Sequence, residues 1–155
     1  MKQLPIISLF CGAGGLDLGF RQQGFKTVLA IDSDETAVSS FNLNAKAQVA
    51  VRADLSKMSA NEVFKLLEER APRVHPIGVL GGPPCQGFSS ANVHANPDDP
   101  RNVLPFRYAE LLAELNHRYG LHFFLFENVP GLKLSRHLDR FEKIRRAFEN
   151  AHFRL

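Results

Sequence analysis

The sequence predicts an α/β domain built on a doubly wound, mostly parallel sheet. Two observations carry that expectation. Short apolar runs of strand length alternate with longer amphipathic segments, the order that produces βαβ units. The chemically conspicuous residues, Cys11, Gly12, Asp32, Asp54, Pro83 to Cys85 and Glu127, also follow directly on the apolar runs. That is where a parallel sheet presents its ligand side. The expected strand order is 3-2-1-4-5, with helices on both faces.

Each element has a local reason. Leu4 to Phe10 is an apolar run and reads as the first strand, and Gly14 to Gln23 as a turn entering a helix. Thr27 to Ile31 is a second strand. Glu35 to Asn44 is a helix, with Asp32, Ser33 or Asp34 as its cap. Gln48 to Val51 is a short strand. Ala60 to Arg70 is a helix whose apolar side carries Val63, Phe64, Leu66 and Leu67. Ile77 to Leu80 is a fourth strand. Gln86 to Asn102 is polar, contains Pro97 and Pro100, and reads as a loop. Val103 to Arg118 is a helix, Leu121 to Glu127 a fifth strand, and Arg136 to Asn150 a last helix. No repeat or low-complexity segment interrupts this order.

Composition sets the bounds. The 155 residues, 45% hydrophobic with 13 Phe, suffice for one domain with a real core. The net charge of +3 permits a nucleic-acid partner without demanding one. Two cysteines far apart in the chain suggest neither a disulfide framework nor a zinc site, and fit a reducing, cytoplasmic setting. The six histidines show no metal-ligand spacing, so no metal is expected. No apolar run approaches the roughly 20 residues of a membrane span.

Three stretches carry chemistry. In Phe10-Cys11-Gly12-Ala13-Gly14-Gly15-Leu16, glycines after the first strand permit a tight turn and close approach of a ligand to backbone. Asp32 ends the second strand about twenty residues on, where an acid commonly binds two ribose hydroxyls. Its alternative role is a helix cap. Asp54 ends the third strand, to bind an adenine amino group or to cap the next turn. No Gly-Lys-Ser/Thr phosphate loop is present. The second stretch is Gly-Gly-Pro-Pro-Cys-Gln-Gly-Phe-Ser, residues 81–89. Proline is disfavoured inside core strands, so Cys85 stands at a stiffened strand end, placed as a nucleophile rather than as an inert core thiol. Cys11 lacks this setting and reads as packing. The third is Glu127-Asn128-Val129-Pro130. Glu127 follows four apolar residues, which predicts a partly buried carboxyl with a raised pKa. The alternative is a carboxylate paired with Arg101, Arg107 or Lys133. A thiol and a proton-holding carboxyl on neighbouring strand ends suit covalent catalysis with acid assistance. The last helix sets Arg136, Arg140, Lys143, Arg145 and Arg146 opposite Leu138, Phe141, Ile144 and Phe148. That is a solvated face or, less commonly, a nucleic-acid contact.

Together these stretches resemble the cytosine-C5 DNA methyltransferases, from Ile7 to about Phe148. The resemblance implies a Rossmann-like S-adenosylmethionine-dependent methyltransferase fold. Cys85 would attack C6 of a flipped-out cytosine, Pro84 would shape the base pocket, and Glu127, with Asn128 beside it, would hold N3 and the exocyclic amine. S-adenosylmethionine would be the methyl donor. Its site would draw on Phe10, Cys11, Gly12, Ala13, Gly14, Gly15 and Leu16, on Asp32 and Ser33 at the ribose, on Asp54 and Leu55 at the adenine, and on Pro83 and Leu104 as wall. Gln86, Gly87, Ser89 and Ser90 would belong to a loop closing on double-stranded DNA, since the base must leave the stack.

The chain also departs from that pattern. The Gln-x-Arg-x-Arg motif, the target-recognition domain and the C-terminal segment that packs onto the cofactor pocket are absent from these residues. The expectation is a fold incomplete on its C-terminal side, either a piece of a longer enzyme or one half of a two-chain enzyme. Two further readings stand beside the first. One is an RNA cytosine-C5 methyltransferase, although Gly87-Phe88-Ser89 after the Cys-Gln pair favours DNA. The other is a non-catalytic cofactor-binding module.

Overall fold

The structure is a computed structural model and describes residues 3–84 and 99–154. Five strands form one sheet: β1 (Leu4–Leu9), β2 (Phe25–Asp32), β3 (Ala50–Arg52), β4 (Gly78–Gly81) and β5 (Phe123–Phe126). Their order is β3-β2-β1-β4-β5 and every pairing is parallel, as the alternating pattern predicts. Helices α1 (Gly15–Gln22), α2 (Glu35–Ala45), α3 (Ala60–Arg70), α4 (Leu104–Tyr119) and α5 (Leu138–Asn150) complete the fold.

Alternation along β1 assigns the faces. Ile7 and Leu9 join Leu29, Ile31 and Val79 in the main core, against Val63 and Leu67 of α3 and Tyr108, Leu111, Leu112 and Leu115 of α4. Ile144 and Phe148 of α5 close that side. Each such side chain contributes roughly 1.5–3 kcal/mol by leaving water. On the opposite face a smaller cluster joins Ala30 and Ala50 to Val38 and Phe41 of α2.

Caps fix where the helices begin. Of the three acids and hydroxyls that could start α2, Asp34 does so: its Oδ1 accepts from the Thr36 and Ala37 amides at 2.7 and 3.0 Å. At α3, Ser59 and Glu62 form a reciprocal capping box. The main departures from expectation also have local causes. β3 starts at Ala50 rather than Gln48 because α2 ends in a left-handed turn at Lys46, followed by bends at Ala47 and Gln48. The last helix starts at Leu138 rather than Arg136 because Pro130 opens one 3-10 turn and Ser135–His137 forms another. Leu138, expected on the apolar side of that helix, is exposed. Within the stretch expected to be a loop, residues 100–102 belong to a 3-10 turn, Pro100–Val103, capped by Asp99.

The two strands that lead to the candidate chemistry are held by one side chain. Tyr108 is fully buried, and its hydroxyl lies 3.0 Å from the Leu125 carbonyl oxygen and 3.3 Å from that of Val79. Its ring contacts Phe10, Phe124, Phe126 and Phe148. It comes this close because residue 81 is glycine; a Cβ there would stand 2.4 Å from the ring. A Cβ at Gly78 would also stand 2.4 Å from a ring, that of Phe123, but Phe123 is only half-buried. Gly81→Ala is therefore expected to cost about 3 kcal/mol or more by overpacking, and Gly78→Ala distinctly less, since Phe123 is partly exposed whereas Tyr108 is enclosed on all sides. Urea unfolding of the two variants measures the difference; equal losses would refute the distinction.

Candidate cofactor crevice and active-site strand ends

The parallel register brings four strands to a common level. Leu9 pairs with Ile31 on one side and with Gly81 on the other, and Gly81 pairs with Phe126. The next residue on each strand is Phe10, Asp32, Gly82 or Glu127, so the candidate site begins one step beyond this row.

The turn after β1 is built from left-handed backbone. Phe10, Gly12 and Gly14 have φ of 56°, 52° and 85°. The two glycines take this conformation at little cost, whereas Phe10 pays strain of order 1–3 kcal/mol. The Cys11 amide donates to the Ile31 carbonyl at 3.2 Å, which ties the turn to β2. The Gly12 amide donates to Asp32 Oδ2 at 2.8 Å, and the Asp34 amide to Oδ1 at 3.0 Å. Asp32 is thus fixed by two backbone donors, with acceptor capacity left on both oxygens. Beyond it lies a crevice of about 280 Å³ lined by Phe10, Gly12, Asp32, Ser33, Asp54, Leu55, Gly82, Pro84 and Leu104. Nothing stands within 4 Å of where a Cβ at Gly12 would be, so its backbone faces open space.

Asp54 both lines the crevice and caps the following turn. Its Oδ1 accepts from the Ser56 hydroxyl at 2.6 Å and the Ser56 amide at 3.0 Å, and Lys57 Nζ lies 3.2 Å from Oδ2. The Ser56 hydroxyl bond leads the causes that lower its pKa. Arg107 of α4 holds the same segment by donating to the carbonyls of Leu55 and Met58.

An adjoining cavity of about 380 Å³ runs from the turn to β5, between Cys11, Gly12, Leu16, Asp17, Gly82 and Glu127. Burial, reinforced by Asp32 and Asp17, pushes the Cys11 thiol up to about 12, so it stays protonated. Ala13, Gly14 and Gly15 diverge from the expected set. They line a separate hollow of about 480 Å³ between α1 and α2, where the Asn44 side-chain amide donates to the Ala13 carbonyl. The left-handed backbone at Gly14 turns the chain away from the crevice, and its missing side chain admits the Phe41 ring, 2.8 Å from where a Cβ would lie.

The Glu127 amide donates to the Gly81 carbonyl at 2.8 Å, which fixes its backbone beside β4. Its side chain is exposed, contrary to the burial expected from four preceding apolar residues. Those residues form an edge strand whose side chains are only half-buried, so β5 carries its end toward solvent. None of the three cations considered as partners pairs with Glu127. Arg101 pairs with Asp99, Arg107 with Glu110, and Lys133 lies over the Phe141 ring. Asn128 joins the two strand-end loops: its Nδ2 donates to the Pro83 carbonyl at 3.3 Å, and its Oδ1 accepts from the Val129 amide. Pro83 is buried and Pro84 exposed. Cys85, Gln86, Gly87, Ser89 and Ser90 lie outside the described residues. On α5 the basic face is ion-paired, Lys143 with Asp139 and Arg145 with Glu142 and Glu149, as on a solvated helix.

Three residues of this region escaped the sequence reading. Gly82 admits the Glu127 side chain, since a Cβ there would stand 3.3 Å from its Oε2. Ser8 and Asp17 form a buried hydrogen-bonded pair beneath the turn. A hydroxyl inside the apolar first strand and an acid on the sheet side of α1 were the available signals.

Comparison with known proteins then places the chain. The family described as C-5 cytosine-specific DNA methylase matches residues 4–155. The chain belongs to that family. Among curated relatives, the type II methyltransferase M.FnuDI of Fusobacterium nucleatum is 34% identical over 96% of this chain and 39% of its own length. M.NgoPII of Neisseria gonorrhoeae is 33% identical over 94% and 39%. A crystal structure of a prophage-encoded DNA modification methyltransferase from E. coli superposes with a TM-score of 0.76 at 31% identity, covering 96% of this chain and 38% of the other. The S. pombe Dnmt2 methyltransferase, at 23% identity and a TM-score of 0.62, shares the fold. The chain therefore spans about two fifths of the length of these relatives.

The Cys11 environment yields a measurable consequence. Its raised pKa means the folded state prefers the thiol. Stability from this group is whole below the unfolded value of about 8.5 and is lost as pH rises toward about 12. At pH 8, in a Cys85→Ser background, Cys11 should react with iodoacetamide far more slowly in the native protein than in urea. Equal rates in both states would contradict the assignment.

Proposed function

We propose that this chain carries the nucleophile and the cofactor crevice of an enzyme that methylates C5 of a flipped-out cytosine in DNA. One observation carries the reading: the Pro83-Pro84 segment, which Cys85 follows in the sequence, and the Glu127-Asn128 segment leave adjacent parallel strands at the level where Asp32 faces the crevice. The Asn128–Pro83 hydrogen bond links the two segments.

The crevice residues suit S-adenosylmethionine. The Asp32 acceptors match two vicinal ribose hydroxyls, Asp54 offers an acceptor to an adenine amine, and Phe10, Leu55 and Leu104 supply apolar wall. When bound, the cofactor supplies an electrophilic methyl group on a cationic sulfur. The chain's own residues would do the rest. Cys85, as thiolate, forms a bond to C6 of the base, and Glu127 in its protonated form donates at N3. Those steps place electron density on C5, which otherwise is a poor nucleophile. C5 would then be able to accept the methyl group that the bound cofactor supplies. Transfer of the C5 proton to water would then let the C5–C6 double bond re-form as the Cys85 sulfur leaves with its bonding pair, and N3 would return its proton to Glu127. Pro84 would border the base, and Gln86, Gly87, Ser89 and Ser90 would belong to the loop that closes on the DNA. The exposure of Glu127 fits a group that the base itself covers.

DNA rather than RNA is favoured by the relatives, which are named type II methyltransferases. Among the described residues no helix is long and apolar enough to cross a membrane. We place the activity in the cytoplasm, with the DNA. The chain spans about two fifths of the length of these relatives, and the half-buried apolar edge at β5 offers a place for more sheet. A further segment, in the same polypeptide or a partner chain, would cover it and supply target recognition.

Trapping on duplex DNA carrying 5-fluorocytosine, with S-adenosylmethionine, tests the mechanism. A covalent adduct should form and vanish in Cys85→Ala, and Glu127→Gln should slow its formation by about 10²-fold or more. The trial is run with and without C-terminal chains from relatives. An adduct in the Cys85→Ala variant would overturn the assigned nucleophile.

A further inference from the structure

Asp17 is a buried carboxylate that the proposed reaction does not use. It stands in the first turn of α1 on the sheet side and is 6% exposed. Ser8 Oγ donates to its Oδ2 at 2.8 Å, and Thr27 Oγ1 to its Oδ1 at 2.6 Å. Both partners are neutral. Among the described residues no basic side chain lies within ion-pair distance of it, and Arg21, one turn on, donates instead to the Asn44 carbonyl. Burial raises the Asp17 pKa, opposed by the two hydroxyls, by a backbone hydrogen bond and, least of these, by the charge of Arg21. A leucine would fill such a position without desolvating a charge, so packing alone gives no reason for the acid.

Its position relative to the crevice supplies a reason. Asp17 lines the cavity that also touches Gly12, Leu16, Gly82 and Glu127. That cavity shares Phe10, Gly12 and Gly82 with the crevice around Asp32. A nucleoside seated at Asp32 and extending across Gly12 would enter the adjoining cavity, whose wall includes Asp17. The field is also felt at this turn, since Asp32 and Asp17 both add to the elevation of the Cys11 pKa.

We propose that Asp17 is a specificity-determining residue whose fixed negative charge selects the sulfonium cofactor over the neutral thioether product. The inference rests on the S-adenosylmethionine reading given above. Methyl transfer breaks the sulfur–methyl bond and leaves the pair on sulfur, so the product has one positive charge fewer at that atom. The amino-acid tail and nucleoside are common to both ligands. A carboxylate kept from water acts on that one difference, favouring binding of the donor and release of the product.

Calorimetric titration of the protein with S-adenosylmethionine, with S-adenosylhomocysteine, and with an unreactive analogue bearing an ammonium in place of the sulfonium tests this. Asp17→Asn keeps the shape and can still hydrogen-bond both hydroxyls, one as acceptor and one as donor. It should weaken the two cationic ligands roughly five- to thirtyfold and the thioether by less than about twofold, the size expected of a charge some way off in a partly buried medium. Thr27→Val, which keeps the charge, should preserve the wild-type ratio. If the Asn variant does not fold, Asp17→Leu serves in its place. Equal weakening of all three ligands, or no change, would overturn the inference and leave the cofactor reading intact. Failure of the wild-type protein to bind any of the three would remove both.

Discussion

The parallel pairing of β1 with β2 on one side and β4 on the other is the constraint on which the rest of the site depends. Because Leu9 stands level with both Ile31 and Gly81, the chain leaves three strands at one height. The crossovers run to β2 in one direction and from β4 in the other, so the helices part at this point and leave a crevice. The glycine turn, Asp32 and the Pro83-Pro84 segment converge there because the strand register brings them to one level.

Keeping that row level requires close packing beneath it. Gly81 lets Tyr108 rise against β4, and the Tyr108 hydroxyl lies between the Val79 and Leu125 carbonyls. The ring stack of Phe124, Phe126 and Phe148 then supports β5 from the same side. Above the row the backbone itself is the functional material. Phe10 accepts an unfavourable φ so that Gly12 can point its amide at Asp32. Strain at that residue is stabilised by the Cys11–Ile31 backbone bond and by the edge-on contact of the Phe10 ring with Tyr108.

The electrostatics follow the same geometry. Asp32, Asp54, Asp17 and Glu127 all lie around two adjoining cavities, and of these only Asp54 has a cation within ion-pair distance among the described residues. Elsewhere the basic residues are spent on acids of the surface, as along α5, or on backbone carbonyls, as at Arg107. The mildly basic whole thus holds an acidic centre around these cavities.

The α/β class, the strand order and the position of the candidate residues at the strand ends were legible in the sequence. Those follow from period, length and turn chemistry, which are local: α3 spans Ala60–Arg70 because Ser59 and Glu62 cap it, and β1 is a strand because Leu4 to Leu9 is a short apolar run. Tertiary structure alone decided what each side chain faces. Glu127 is exposed although its neighbours are phenylalanines, because β5 is an edge. Ala13, Gly14 and Gly15 leave the crevice because of a left-handed φ at Gly14 and the Phe41 ring brought against it from α2. Asp17, unremarkable in an amphipathic helix, becomes a buried charge because Ser8 and Thr27 meet it from two different strands. Burial and hydrogen-bond partners are set by segments distant in the chain, and no local pattern encodes which of them will meet.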